Sequence, residues 1–417
     1  MLRRIAGAAV VAVVVVAVVA GGGARSSAPL VPDRADAQAA AAKYAGAASC
    51  GASNCHGSTR PRADYPKLNE ATTWSQKDHH ARAYTALTSD KAKSTISPSK
   101  IASNLKLGKP ETSERCLSCH AVNVKPELRG PKFDIAEGVQ CEGCHGSSEK
   151  WLDQHSEKGW THEQSVKVGM YDTKNILLRA EKCVSCHLQI DADMVAAGHP
   201  DLSAFELDTY SGQMPPHWRD KGPWAGTKAW ATGQVIALRE AAKQLGDRAG
   251  GSASGQVLND ALGKVQGHGA MVRVILAVAA PDAQKSVEGD VATLTDAVTK
   301  GDKAKIGSTA KNLQTTMQGQ APKVAARDYD QASTKKLLAD ISGSGDAIGA
   351  AGVRAAEQAA MALDRLYSAY SKAPGAPKAD PAASKALDTM FGTLEDPKKY
   401  DAKAFGAAAK SFNDTIK

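Results

Sequence analysis

The chain of 417 residues has few aromatic side chains, which make up 5% of it, and it has no run of basic residues. Its formal charge of +8 is dispersed, which argues against a nucleic-acid partner and favours an acidic partner or surface. Beyond Trp230 the chain has no cysteine and a single histidine. That half also lacks a carboxylate cluster, a Ser/His pair and a phosphate loop, so we expect it to serve as a scaffold or docking domain.

The N-terminus has the pattern of an export signal. MLRR supplies positive charge, and IAGAAVVAVVVVAVVAGGGA supplies an uninterrupted apolar run. The run is about as long as a short transmembrane helix, so cleavage and retention as a membrane anchor are both open. We predict that residues 1–40 are a signal peptide or anchor with a linker. The rest of the chain is then periplasmic or otherwise extracytoplasmic.

The cysteines form four close pairs, and a histidine directly follows each pair: CGASNCH, CLSCH, CEGCH and CVSCH. Disulfides are the default in an exported protein but give no reason for the histidines, and zinc does not require one after each pair. Covalent haem attachment does, because two thiols bind the haem and the next imidazole ligates its iron. We therefore predict four covalently bound haem c groups. The sites are site one (Cys50, Cys55, His56), site two (Cys116, Cys119, His120), site three (Cys141, Cys144, His145) and site four (Cys183, Cys186, His187).

Site one differs from the others because four residues, rather than two, separate its cysteines. A four-residue spacer can still span the two vinyl groups of a haem, and His56 still follows the second cysteine. We therefore interpret CGASNCH as a haem site like the other three.

The stretches WSQKDHHARAY (74–84), CLSCH and GVQCEGCHG (138–146) together resemble the tetrahaem cytochrome c-554 family and the wider multihaem cytochromes that carry its module. The resemblance covers roughly residues 44–245, and AGHPDLSAFELD is similar to a longer branch of these cytochromes. It implies distal iron ligands, and the candidates are His80, His155 and His199, with His217 or His162 as the fourth. The type member of the family keeps one haem five-coordinate. In this chain, site two is the site at which an open iron position would be expected. Other residues that we considered are His79, a neighbour of His80; His268, which we do not expect to be a ligand; and Met170 and Met214, which we expect to pack.

The fold class that we predict is mostly α. An irregular, haem-packed multihaem cytochrome c domain is expected over residues 44–222, where Gly, Pro and Ser interrupt any long periodic pattern. An Ala-rich, all-α helical bundle of four to six helices is expected over residues 223–417. Its first helix places Val235, Leu238, Ala242 and Leu245 on one face, and the next places Leu258, Leu262, Val265 and Val272 on one face. The further amphipathic segments are 284–299, 303–318, 329–342, 346–372 and 381–392, with breaks at 250–251, 280–281, 321–322, 343–346 and 373–381.

These features predict an exported tetrahaem cytochrome that transfers electrons between redox partners through closely packed, mostly bis-His haems. The alternative is a multihaem oxidoreductase that acts on a small nitrogen or sulfur compound at one five-coordinate haem. A third possibility is one subunit of a larger haem conduit, with the helical half as its assembly surface.

Overall fold

The structure is a computed structural model. The residues that it describes are 42–89, 97–201, 205–215, 218–220, 222–251, 253, 255–376 and 378–416. The predicted signal or anchor and the candidate ligand His217 lie outside them. Within the described residues there are nineteen α-helices and no strand, which confirms the mostly-α fold class. Among these helices none combines the length and the hydropathy that a membrane crossing requires.

The first half of the described chain consists of short helices separated by long connections. Proline begins several of its helical turns, as at Pro98 and Pro110, and side chains such as Asn175 cap others. The α-helices are α1 (Ala47–Cys50), α2 (Glu70–Lys77), α3 (Thr85–Thr88), α4 (Pro98–Asn104), α5 (Glu114–His120), α6 (Cys141–His145), α7 (His162–Lys167), α8 (Ile176–Val184), α9 (Ala192–Ala196) and α10 (Leu207–Gln213). The apolar cluster that belongs to this half alone is small, with Leu87, Leu117 and Ala121 at its centre.

The second half is a bundle of longer helices. They are α11 (Ala225–Gly250), α12 (Gln256–Ala279), α13 (Pro281–Lys300), α14 (Lys303–Ala326), α15 (Gln331–Gly343), α16 (Gly345–Ala350), α17 (Val353–Lys372), α18 (Pro381–Gly392) and α19 (Ala402–Thr415). These nine helices exceed the four to six that we predicted. One reason is Gly352, whose φ of 110° divides the predicted segment 346–372 into α16 and α17.

The predicted break at Ala321 and Pro322 was wrong, because α14 continues to Ala326 with Pro322 inside it. A proline removes one backbone hydrogen bond, and here it does so in the last turns of the helix. Ala321 and Val324 are buried on either side of it. We infer that this apolar packing offsets the lost hydrogen bond.

Helix α11 is the central helix of the bundle and is buried on nearly every side. It packs against α12, α14 and α17, and also against α8 and α10 of the first half. The predicted domain boundary at residues 222 and 223 falls just before α11, but the apolar core crosses it. Val184, Leu188 and Phe205 belong to the same buried cluster as the bundle helices.

Candidate functional site

Two of the four Cys–His motifs, site one and site four, have a common backbone arrangement. All eight cysteines are free thiols. In site four the His187 N–H donates to the Cys183 carbonyl at 3.0 Å, across one helical turn. In site one the His56 N–H donates to the Cys50 carbonyl at 3.1 Å, although two more residues lie between them. The first cysteine and the histidine therefore keep the same relation in both motifs.

The extra residues of site one form a tight turn after α1. The Cys55 and Gly57 N–H groups both donate to the Ala52 carbonyl, at 2.9 and 3.0 Å. A Cβ atom at Gly57 would lie 1.9 Å from the Gly51 carbonyl oxygen, so a side chain at this position would break the turn. Glycine at position 57 is what allows the longer spacer to fold back.

Three of the predicted distal histidines face three of the predicted proximal histidines. The ring centroids are 6.0 Å apart for His56 and His155, 6.3 Å for His187 and His80, and 6.4 Å for His120 and His199. Two metal–imidazole bonds of about 2.0–2.1 Å, with about 1.1 Å from each nitrogen to its ring centre, give a separation of about 6.3 Å. The spacing of all three pairs therefore fits one iron between two imidazoles.

Five of these six rings have an acceptor at Nδ1, which leaves Nε2 directed elsewhere. The bonds are His56 to Glu70 Oε2 at 2.9 Å, His80 to Asp78 Oδ1 at 2.9 Å, His120 to the Ala83 carbonyl at 2.8 Å, His155 to the Leu152 carbonyl at 2.5 Å and His199 to the Pro200 carbonyl at 2.9 Å. An acceptor at Nδ1 fixes the tautomer and orients the ring of a metal-binding histidine. The sixth ring, His187, packs against the Phe205 and Tyr210 rings.

His162, His79 and His268, which the structure describes, differ from these pairs. His162 donates through Nε2 to Asp172 Oδ1 at 2.8 Å. His79 is exposed, with Arg82 near its Nδ1. His268 is fully buried in the bundle, where its Nδ1 contacts the Gln234 side chain, and burial lowers the pKa of its imidazole to about 3. For His145 of site three, the two candidate partners that the sequence leaves are His162 and His217.

The environment of the rings shifts their pKa values. Burial lowers the pKa of His187 to about 4 and also lowers the pKa of His120, so both are neutral at neutral pH, as metal binding requires. The hydrogen bond to Glu70 raises the pKa of His56. Burial opposes ionisation of Glu70, but the bonds from His56 and from backbone N–H groups lower the pKa of this carboxyl. A proton shared between Nδ1 and Glu70 leaves Nε2 of His56 available.

The attachment sites lie close to one another in pairs. The Cys50 and Cys141 thiols lie close enough to interact, and this contact lowers the pKa of Cys50 and raises that of Cys141. The same contact between Cys119 and Cys186 lowers the pKa of Cys119 to about 7. Burial raises the pKa of Cys183, and Cys144 is near enough to raise it further. Sites one and three, three and four, and four and two are therefore neighbours.

Glu142, inside the motif of site three, is a structural residue that the sequence analysis did not single out. Its carboxylate is buried and accepts from the N–H groups of Ala45, Gly46 and Ser148 at 2.8–2.9 Å, and from the Gln140 side chain at 3.1 Å. It therefore joins the start of the described chain to site three. In the sequence, this role is indicated by an acidic residue that stands between two cysteines, in a stretch of chain with little regular structure.

A second missed feature holds His80. Val139 donates its N–H to the His80 carbonyl at 3.0 Å, and the Trp74 indole donates to the Val139 carbonyl at 3.1 Å. Gly138 permits this approach, because its φ is 72° and a Cβ there would lie 2.7 Å from the His80 oxygen. The segment GVQ before site three thus positions a residue of the WSQKDHHARAY stretch.

Comparison with protein families agrees with this arrangement. Residues 42–146 match the family model described as cytochrome c554 and c-prime. This part of the chain is similar to cytochrome c554. The match includes sites one, two and three and confirms the resemblance predicted from the sequence, while site four and the helical bundle lie beyond its end. Neither the curated proteins nor the solved structures give a match to the chain.

The side chains of the matched segment fit the cofactor of the cytochrome c family, covalently bound haem c. Free cysteines occur in pairs, each followed by a histidine, and rings with Nδ1 already bonded face each other at the spacing of two axial ligands. Site four, beyond the family match, also has a cysteine pair followed by a histidine, and this His187 faces His80 of the matched segment. The thiols would hold the porphyrin and the Nε2 atoms would hold the iron.

Proposed function

We propose that the protein is an exported tetrahaem c-type cytochrome that carries electrons between redox partners. The observation that carries this proposal is the set of three histidine pairs with centroids 6.0–6.4 Å apart, each joining a Cys–His motif to a distant segment. An iron with imidazoles on both faces has no open position for a substrate. Closure of the irons favours electron transfer over catalysis at the haem.

Each haem supplies one site for a transferable electron, and the chain sets the affinity of that site for the electron. The axial ligands that we propose are all imidazoles, without the potential-raising methionine, so we expect low reduction potentials. The acceptors at Nδ1 differ among the pairs. His56 and His80 bond to carboxylates, whereas His120, His155 and His199 bond to backbone carbonyls. A carboxylate increases the basicity of an imidazole more, so sites one and four should have the lowest potentials of the three paired sites.

The contacts among the cysteines support a continuous path. Cys50 lies against Cys141, Cys144 lies near Cys183, and Cys186 lies against Cys119. We infer that electrons pass in the order site one, site three, site four, site two, or in the reverse order. His145 lies in the middle of this path, and we propose His217 as its distal ligand because Nε2 of His162 is already bonded to Asp172.

The expected setting of this activity follows from the cofactor. c-type cytochromes are typically extracytoplasmic, and the apolar N-terminal run is consistent with export to the periplasm. We propose that the partners are redox proteins. Membrane anchoring by the N-terminal segment and assembly through the bundle are further proposals.

The test is performed on the full-length, haem-loaded protein. The haem-to-chain ratio is measured by conversion to the pyridine haemochrome, and carbon monoxide binding is measured after reduction. We expect four haems per chain and no carbon monoxide binding in the wild-type protein, because every iron is closed. The variants His80→Ala, His155→Ala and His199→Ala should each allow one further haem to bind carbon monoxide.

His79→Ala is the matched control for His80→Ala, because His79 is the preceding residue and is exposed. It should not open an iron. An open iron in His79→Ala together with none in His80→Ala would contradict the proposed ligand set. A carbon monoxide-binding haem in the wild-type protein would favour the alternative function, an oxidoreductase that acts on a small nitrogen or sulfur compound.

A further inference from the structure

The segment that carries His199 is held by the helical bundle through buried polar contacts. This segment runs from Leu188 to Asp201 and includes α9. Gln244 of α11 donates to the Leu188 and Ile190 carbonyls at 3.1 and 2.9 Å, and Arg248 donates to the Ile190 carbonyl at 2.7 Å. These bonds fix the start of the segment against α11.

The end of the segment is held by an ion cluster, in which the buried cations Arg248 and Lys264 bind the half-buried carboxylate of Asp201. Arg248 contacts both carboxylate oxygens of Asp201, at 3.0 and 3.1 Å. The Lys264 ammonium lies 2.7 Å from Oδ1 of the same carboxylate and 2.8 Å from the Gln244 side chain. The side chains of the two cations are each 1% exposed.

Stability alone does not account for this cluster, because burying charges costs free energy that apolar packing of the same volume avoids. A bidentate Arg–carboxylate pair instead fixes distance and direction. Asp201 follows His199 by two residues, and the His199 ring faces His120 with its Nδ1 already bonded. A residue that ligates a metal must be held within about 0.5 Å of its working position.

We propose that Asp201, Arg248 and Lys264 are positioning residues that hold His199 as the sixth ligand at site two, so that the helical bundle determines whether that iron is closed. This proposal rests on the proposed function, in which His199 and His120 are the two axial ligands of one haem. It assigns to the bundle a role at a particular haem, in addition to covering the first half of the chain.

The experiment uses the full-length, haem-loaded protein with the variants Asp201→Asn and Lys264→Met. Lys243→Met is the matched control, since Lys243 lies on α11, the helix of Arg248, and pairs with the exposed Asp247 instead of Asp201. Asp201→Glu tests whether a carboxylate restores the arrangement. The readouts are carbon monoxide binding after reduction, the spin state of the ferric haems and the thermal midpoint.

We expect Asp201→Asn to allow one haem to bind carbon monoxide, which no haem does in the wild-type protein, and to give a new high-spin ferric signal. Lys264→Met should have a smaller effect in the same direction, because the Arg248 pair remains. Asp201→Glu should recover most of the closed state, and Lys243→Met should match wild type. If Asp201→Asn yields no haem-loaded protein, Lys264→Met decides alone.

A lowered thermal midpoint in Asp201→Asn and Lys264→Met with every iron still closed would overturn the proposal, because the cluster would then be structural only. Failure of the proposed function gives a different result. In that case His199→Ala itself would open no iron, whatever the cluster variants do.

Discussion

The buried carboxylate of Glu142 provides a stringent test of how the first half of the chain is held together. It accepts four hydrogen bonds, from three backbone N–H groups and one amide. In Glu142→Gln the side chain keeps one acceptor oxygen, which can serve at most two of the four donors. Hydrogen bonds to a charged group contribute about 1.5–3 kcal/mol each, so losing two of them costs about 3–6 kcal/mol. That is a large part of a total stability of about 5–15 kcal/mol.

The assay is denaturant unfolding of the full-length protein followed by circular dichroism. Glu137→Gln is the control, because Glu137 also contacts the segment that starts the described chain, through the Ala47 N–H at 2.9 Å. An amide oxygen can keep that bond, so the control should lose about 1 kcal/mol or less. If Glu142→Gln and Glu137→Gln unfold at the same midpoint, the carboxylate does not organise this part of the chain and the argument fails.

Three further predictions concern site one, the ligand planes and the pH dependence of stability. Gly57→Ala should lose the site-one haem, because its Cβ would lie 1.9 Å from the Gly51 oxygen. In the control Gly108→Ala the new Cβ meets no atom within 4 Å, so this variant should keep four haems. Equal haem-to-chain ratios for the two variants in a pyridine haemochrome assay would contradict this. The His56 and His155 rings are within 8° of parallel, while the two other pairs cross at 81° and 74°. The ferric electron paramagnetic resonance spectrum should therefore contain one rhombic low-spin signal and at least two strongly anisotropic ones. A spectrum of rhombic signals alone would refute the geometry. Burial raises the pKa of Glu206 from 4.5 to about 7, so its contribution to stability is complete below about pH 4.5 and is lost as the pH rises through 7. In denaturant titrations across this range, the stability of Glu206→Gln relative to wild type should therefore rise by about 3 kcal/mol. A difference that stays constant with pH would count against this prediction.

The attachment motifs could be predicted from the sequence because their chemistry is local. Two thiols and an imidazole within a few residues can bind one haem whatever the rest of the chain does. The partners of those imidazoles could be nominated but not paired. His80 faces His187, more than a hundred residues later, while the nearer site two faces His199. Only the packing of whole segments decides such pairings.

Secondary structure in the bundle shows a second limit. The apolar residues that we placed on the faces of its first two helices are buried, and Pro281 begins α13 as the break at 280–281 predicted. Pro322 did not end a helix, because buried neighbours hold the last turns of α14. Proline chemistry predicts a break only where tertiary packing does not oppose it.

The polar residues of α11 show what an amphipathic pattern cannot reveal about the contact between the two halves. In an isolated bundle Arg239, Gln244 and Arg248 would mark a solvated face, yet all three are buried. The segment that they face is irregular, and irregular backbone carries carbonyl groups that no helix satisfies. Gln244 and Arg248 donate to those carbonyls, and Arg239 contacts Glu181 on the helix of site four. A domain packed around haems has much irregular chain, so it requires a partner surface that is rich in hydrogen-bond donors. Such a surface has the same sequence pattern as a surface exposed to water.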